Sequence, residues 1–177
     1  MKQYTKKCKH CKEVFKPYTT LQKYCTKSDC TKVFVEIEKD KAWKKRKAVM
    51  NEDQKTIQYY VKQAQVSFNT FIRTRDKGLN CISCNKPCKK ENAGHYYNAN
   101  NHWSIRFNED NVHLQCEHCN THLSGNLIPY RDNLIKKIGL IKYYDIVKIA
   151  NDTRHFTKDE LKEIEKKYKL KCKELKY

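Results

Sequence analysis

At 177 residues, with 38 Lys and Arg against 20 Asp and Glu and a net charge of +18, the chain suits one modest domain with appendages and a polyanionic partner, not an acidic metabolite. No stretch approaches the roughly 18 consecutive apolar residues of a membrane helix, and MKQYTKKCKHCK has charge but no apolar run for export, so a soluble cytoplasmic protein with no membrane contact is expected. Ten cysteines in such a chain indicate metal sites in preference to disulfides, because the cytosol keeps thiols reduced.

Residues 1–30 carry Cys8-x2-Cys11 and Cys25-x4-Cys30 among few apolar residues, which predicts a separate N-terminal zinc knuckle, with His10 a competing ligand. Residues 31–78 contain no Gly or Pro before Gly78 and predict one long basic helix. Its first half holds Lys44, Lys45, Arg46 and Lys47, one turn after Lys41, a cluster suited to DNA phosphates, although a solvated helix face explains it too. Its second half is amphipathic through Ile57, Tyr60, Val61, Ala64, Phe68, Phe71 and Ile72, and should cover a core. Arg73, Arg75 and Arg106 are nearer the central motif and are expected to clamp substrate.

Residues 79–130 form the predicted catalytic module, and residues 131–177 the C-terminal helices. Beyond Pro129 an apolar pattern interrupted at Gly139 predicts two helical pieces or one kinked helix. Thr157 with Glu160 is a capping-box pattern ahead of a last helix striped by Leu161, Ile164, Tyr168 and Leu175.

Cys81-x2-Cys84 and Cys116-x2-Cys119, 31 residues apart, can give four thiolates to one tetrahedral zinc, with Cys88 a possible substitute. Four thiolates leave no open position, so this zinc is structural. Between and just past these pairs runs AGHYYNANNHWSIRFNEDNVHLQCEHCNTHLSGN, which resembles the HNH, or ββα-metal, nuclease motif. The resemblance implies His95 as general base, Asn111 as the residue that orients it and Asn120 as a ligand of a catalytic Mg2+ or Mn2+. Hydrolysing a phosphodiester does require a water deprotonated near neutral pH and a cation on the phosphate. Many HNH motifs place an Asp or His ligand directly before the catalytic His; here that residue is Gly94, and Asn92 is the nearest polar substitute. His122 or His113 could complete the site, His113 being expected at the surface, and no role falls to Cys172.

VKQAQVSFNTFIRTRD, CISC, AGHY, IRFNEDNVHLQC and CNTHLSGNLIPYR follow in that order after a Cys cluster, and in this the chain resembles the phage NinG family. That resemblance implies a structure-selective endonuclease cutting branched recombination intermediates, such as Holliday junctions and D-loops, in phage recombination. Symmetrical cutting of a four-way junction would suit a twofold homodimer, and other recombination proteins are candidate partners. The expected fold is α-rich α+β: a small zinc-supported ββα-metal core with a long N-terminal helix and C-terminal helices. The rival reading is a non-catalytic, zinc-stabilised DNA- or RNA-binding adaptor.

Overall fold

The computed structural model describes residues 4–175, a helix-rich α+β structure with two small sheets. It divides into two units, one ending at Lys55 and the other beginning at Thr56.

In the first unit, β1 (Lys6–Lys7) and β2 (Val14–Phe15) form an antiparallel ribbon, Lys6 opposite Phe15. Two-residue strands cannot bury an apolar face, and the centre of this unit is cysteine: Cys8, Cys25 and Cys30 are buried, with Cys11, Phe15 and Tyr24 against them. Helix α1 (Ser28–Asp53) is anchored near its start, where Cys30 is its one buried residue and the Phe34 ring lies 5.5 Å from that of Tyr24. The rest is solvated and laced by one-turn ion pairs such as Lys41–Glu38 and Lys44–Asp40, both at 2.7 Å.

The expected single helix over 31–78 is therefore two. Helix α2 (Ile57–Arg75) starts afresh after Thr56, whose extended backbone and Oγ1, accepting from the Tyr59 amide, make an N-cap. The break falls where an exposed, polar helix gives way to an apolar stripe that has a core to cover. That stripe, Tyr60, Val61, Ala64, Phe68, Phe71 and Ile72, is buried, and it packs on α5 (Lys158–Glu174), where the Phe68 and Tyr168 rings meet edge-on at 4.8 Å.

The second sheet pairs β3 (Glu91–His95) with β4 (Val112–Cys116), antiparallel, in the register Glu91↔Cys116 to His95↔Val112. The long connection between them contains a 3-10 turn at Trp103–Ile105, and β4 runs into a π-helical turn at His118–His122. Helices α3 (Leu127–Ile138) and α4 (Leu140–Ala150) are separate, split at Gly139, whose φ of 84° is left-handed. They close a second core from Ile82, Ile105, Tyr130, Leu134, Ile146 and Ala150. The capping box at Thr157 and Glu160 is formed, and the apolar stripe of α5 ends before Leu175, which is exposed.

Gly94 is the tightest point of the sheet. A Cβ there would lie 2.1 Å from Gln115 Oε1 and 2.8 Å from its Cβ. Gln115 cannot swing away cheaply, because its amide donates to Ser83 Oγ at 2.6 Å and to the Gly125 carbonyl at 2.5 Å. Gly94→Ala is expected to destabilise the fold by about 1–3 kcal/mol in a denaturant melt, and Gln115→Ala in the same chain should recover part of the loss, whereas independent sites would add.

Candidate active site

Each unit holds four cysteines whose sulfur atoms lie within 4.8 Å of one another: Cys8, Cys11, Cys25 and Cys30 in the first, Cys81, Cys84, Cys116 and Cys119 in the second. A tetrahedral zinc with thiolates at roughly 2.3 Å spaces its ligands about 3.8 Å apart. The Cys11–Cys25 and Cys84–Cys116 sulfur separations are 3.7 and 3.9 Å, so both quartets could hold zinc without rearrangement. The two C-x2-C turns share one hydrogen-bond frame. Cys8 N donates to Glu13 O and Lys12 N to Cys8 O; Cys81 N donates to Lys86 O and Asn85 N to Cys81 O. The residue after each turn, Lys12 or Asn85, takes a left-handed backbone that lets amide groups fold toward the sulfurs. Cys88 lies outside the second quartet, and His10 stands beside the first with Nδ1 3.6 Å from Cys30 Sγ. Cys172 packs into the α2–α5 core.

His95 closes β3 and lines an open cleft of about 710 Å³ shared with Tyr96, Tyr97, Asn98, Asn100 and Asn120. The ring is largely enclosed, and burial pushes its pKa from the ordinary 6.5 down to about 4, so the imidazole is neutral at pH 7. Its Nε2 is 3.1 Å from the carbonyl of Arg106. A carbonyl only accepts, so Nε2 carries the proton and Nδ1 keeps the lone pair.

Asn111 is fully buried and, among the described residues, makes no hydrogen bond to His95. Its Oδ1 accepts from the Tyr97 amide at 2.8 Å, its Nδ2 donates to the Tyr97 carbonyl at 3.1 Å, and its own carbonyl accepts from Tyr96 N at 2.9 Å. These bonds hold the backbone of Tyr96 and Tyr97, the two residues that follow His95. Asn120, on the π-helical turn, lines the same cleft as His95. Asn92 does not: it is one position out of step with Ala93 and His95, the β3 residues lining the cleft, and successive strand residues point to opposite faces. No carboxylate is among the residues that line the cleft. A hard divalent ion there would find the Asn120 carboxamide and would need its anionic oxygens from a phosphate.

Two of the arginines expected to clamp substrate, Arg75 and Arg106, are turned inward. Arg75 grips Asp76 through Nε at 2.8 Å and Nη2 at 2.9 Å, and donates to the carbonyls of Glu109 and Val112. Asp76 also accepts from the Leu114 amide at 3.0 Å, with His113 and Lys137 both 3.7 Å away. Burial opposes the charge on Asp76, yet the bonds from His113, Arg75 and Leu114 hold its carboxyl well below the usual range. His113 is accordingly buried at 3% exposure, not at the surface. Residue patterns gave only a helix end at Asp76, although an acid next to two arginines was a signal that could have been weighed. Arg106 is 7% exposed, with its guanidinium on Gln65 and Asn100. Arg73 is half-buried and donates to Thr70 in its own helix, while Lys44, Lys45, Arg46 and Lys47 are exposed on α1. His122 is exposed on the π-helical turn and is not among the cleft residues.

A family model described as Bacteriophage Lambda NinG protein matches residues 1–177. The chain belongs to the NinG family. It is 38% identical over 189 residues to Protein ninG of Escherichia phage 933W, covering 96% of this chain and 93% of that relative. To Protein ninG of Escherichia phage lambda it is 37% identical over 191 residues, and to that of Salmonella phage P22 36% over 190, with the same coverage. No solved structure matches this NinG chain. Among its described residues no helix is long and apolar enough to cross a membrane.

Metal analysis of the purified chain should give two zinc ions, and Cys116→Ser should leave one while exposing its unit to proteolysis. For His95, the unfolded chain takes up a proton between pH 6.5 and about 4 that the native chain refuses. This group's contribution is intact above pH 6.5 and lost as pH falls toward 4, so His95→Gln should flatten the fall in Tm across that window.

Proposed function

We propose that this NinG-family chain is a metal-dependent, structure-selective DNA endonuclease that cuts branched recombination intermediates, with the β3–β4 pair and the turn after it serving as an HNH core. The observation that carries the reading is His95: an imidazole kept neutral by burial, with Nε2 on the Arg106 carbonyl, at the edge of a cleft of about 710 Å³. In this mechanism Nδ1 takes the proton from the attacking water while the Arg106 carbonyl holds Nε2–H. Asn111 keeps the backbone at Tyr96 and Tyr97 from drifting, which holds the imidazole in register. Asn120 would hold a Mg2+ or Mn2+ ion, whose charge, when bound, offsets that developing on the phosphorane and leaving oxygen.

Affinity comes from elsewhere on the chain. Residues 1–55 have 16 Lys and Arg against 7 Asp and Glu, a net of +9, half of the whole charge in under a third of the length. Exposed Lys45, Arg46 and Lys47 on α1 suit phosphate contacts that read no sequence, which is consistent with a substrate chosen by shape.

The test uses a labelled four-way junction and a matched linear duplex, with binding and cleavage scored separately in Mg2+ and Mn2+. His95→Ala should bind the junction as the parent does and lose at least about a hundredfold in cleavage rate, the usual span of a general base. A parent protein that binds but nicks nothing in either metal would be an adaptor. Replacing Lys45, Arg46 and Lys47 together with Gln should weaken binding to junction and duplex alike and lower the salt slope by about two to three.

A further inference from the structure

We propose that Arg106 is the receptor for a phosphate group of the substrate, which reaches it through the His95 cleft by displacing Asn100. A guanidinium cannot shed its charge, and a buried one is normally matched by a carboxylate. Arg75 obeys that rule with Asp76. Arg106 does not: it is 7% exposed, and among the described residues no acid pairs with it. Its Nη1 and Nη2 donate to two neutral amide oxygens, Gln65 Oε1 and Asn100 Oδ1, each at 3.1 Å, and its carbon centre lies 5.0 Å from the Trp103 ring. Its Nε is buried with no hydrogen-bond partner.

This unbalanced charge adjoins the cleft. The carbonyl of Arg106 accepts from His95, and Asn100, the neutral cap on Nη2, is exposed and among the residues lining the cleft. Phosphate oxygens in place of the Asn100 amide would give the fork the two-point, charge-assisted contact for which it is shaped. The proposal rests on the nuclease reading for which anion enters, but not for the anion site itself.

The test measures the Tm of the zinc-loaded full chain against inorganic phosphate at constant ionic strength, with chloride as the control. The parent should gain several degrees at saturating phosphate, Arg106→Met should gain none, and His95→Ala should respond like the parent. Asn100→Ala keeps the receptor and removes its neutral competitor, so its phosphate affinity should rise several-fold; this variant decides the matter if Arg106→Met does not fold. Equal responses in the parent and Arg106→Met, no response in the parent, or unchanged affinity in Asn100→Ala would each overturn the proposal. A phosphate response in a protein that never cuts a junction would keep the receptor and dismiss the nuclease.

Discussion

The meeting of four sulfurs from Cys81, Cys84, Cys116 and Cys119 is the constraint on which the second unit depends. Two strands of five residues are below what a free sheet needs to stand alone. Tying the Cys81 turn to the end of β4 fixes that strand at one end, and the Asp76 cluster fixes it again through the Leu114 amide. With β4 placed, β3 has one register available. Gly94 against Gln115 admits no slip, since a shift by one residue would bring a side chain into that contact.

Charge is organised differently on the two sides of this sheet. Around Asp76, one carboxylate gathers Arg75, His113 and Lys137, and the group is closed and structural. Around His95 the side chains that line the cleft are amides, aromatic rings and small residues, with a cation behind them. That cleft has no carboxylate of its own, and burial keeps the His95 imidazole neutral beside it.

Spacing in the sequence was enough to find both cysteine quartets, because tetrahedral thiolate sites require paired turns and little else. The apolar stripe of α2, the division at Gly139 and the cap at Thr157 were legible for similar reasons: each depends on residues within one or two turns. His95 and Asn120, 25 positions apart, line one cleft. What could not be read were contacts made across tens of residues. Arg75 and Arg106 look like surface cations in a basic chain, and only the folded chain turns them inward, one onto its neighbour Asp76 and the other onto Gln65 and Asn100. Asn92 is near His95 in sequence, but strand alternation sets it on the face opposite Ala93 and His95. The break before Thr56 was hidden because Gln54 and Lys55 are themselves good helix formers, and only the change of environment ends the helix there.

The same cysteine frame, built once in each unit, has a consequence for how the chain responds to its surroundings. Zinc bound to either quartet would stabilise that unit by mass action, in proportion to the logarithm of free zinc over the site's own dissociation constant. The first quartet supports the most cationic third of the chain, and the second supports the cleft of His95. The buried quartet sulfurs differ in neighbours, His10 beside Cys30 and Asn126 beside Cys119, so the two constants need not be equal. With zinc in both quartets, scarcity would release the two units at separate concentrations wherever those constants differ, so the cationic helix and the His95 cleft would each have its own metal threshold.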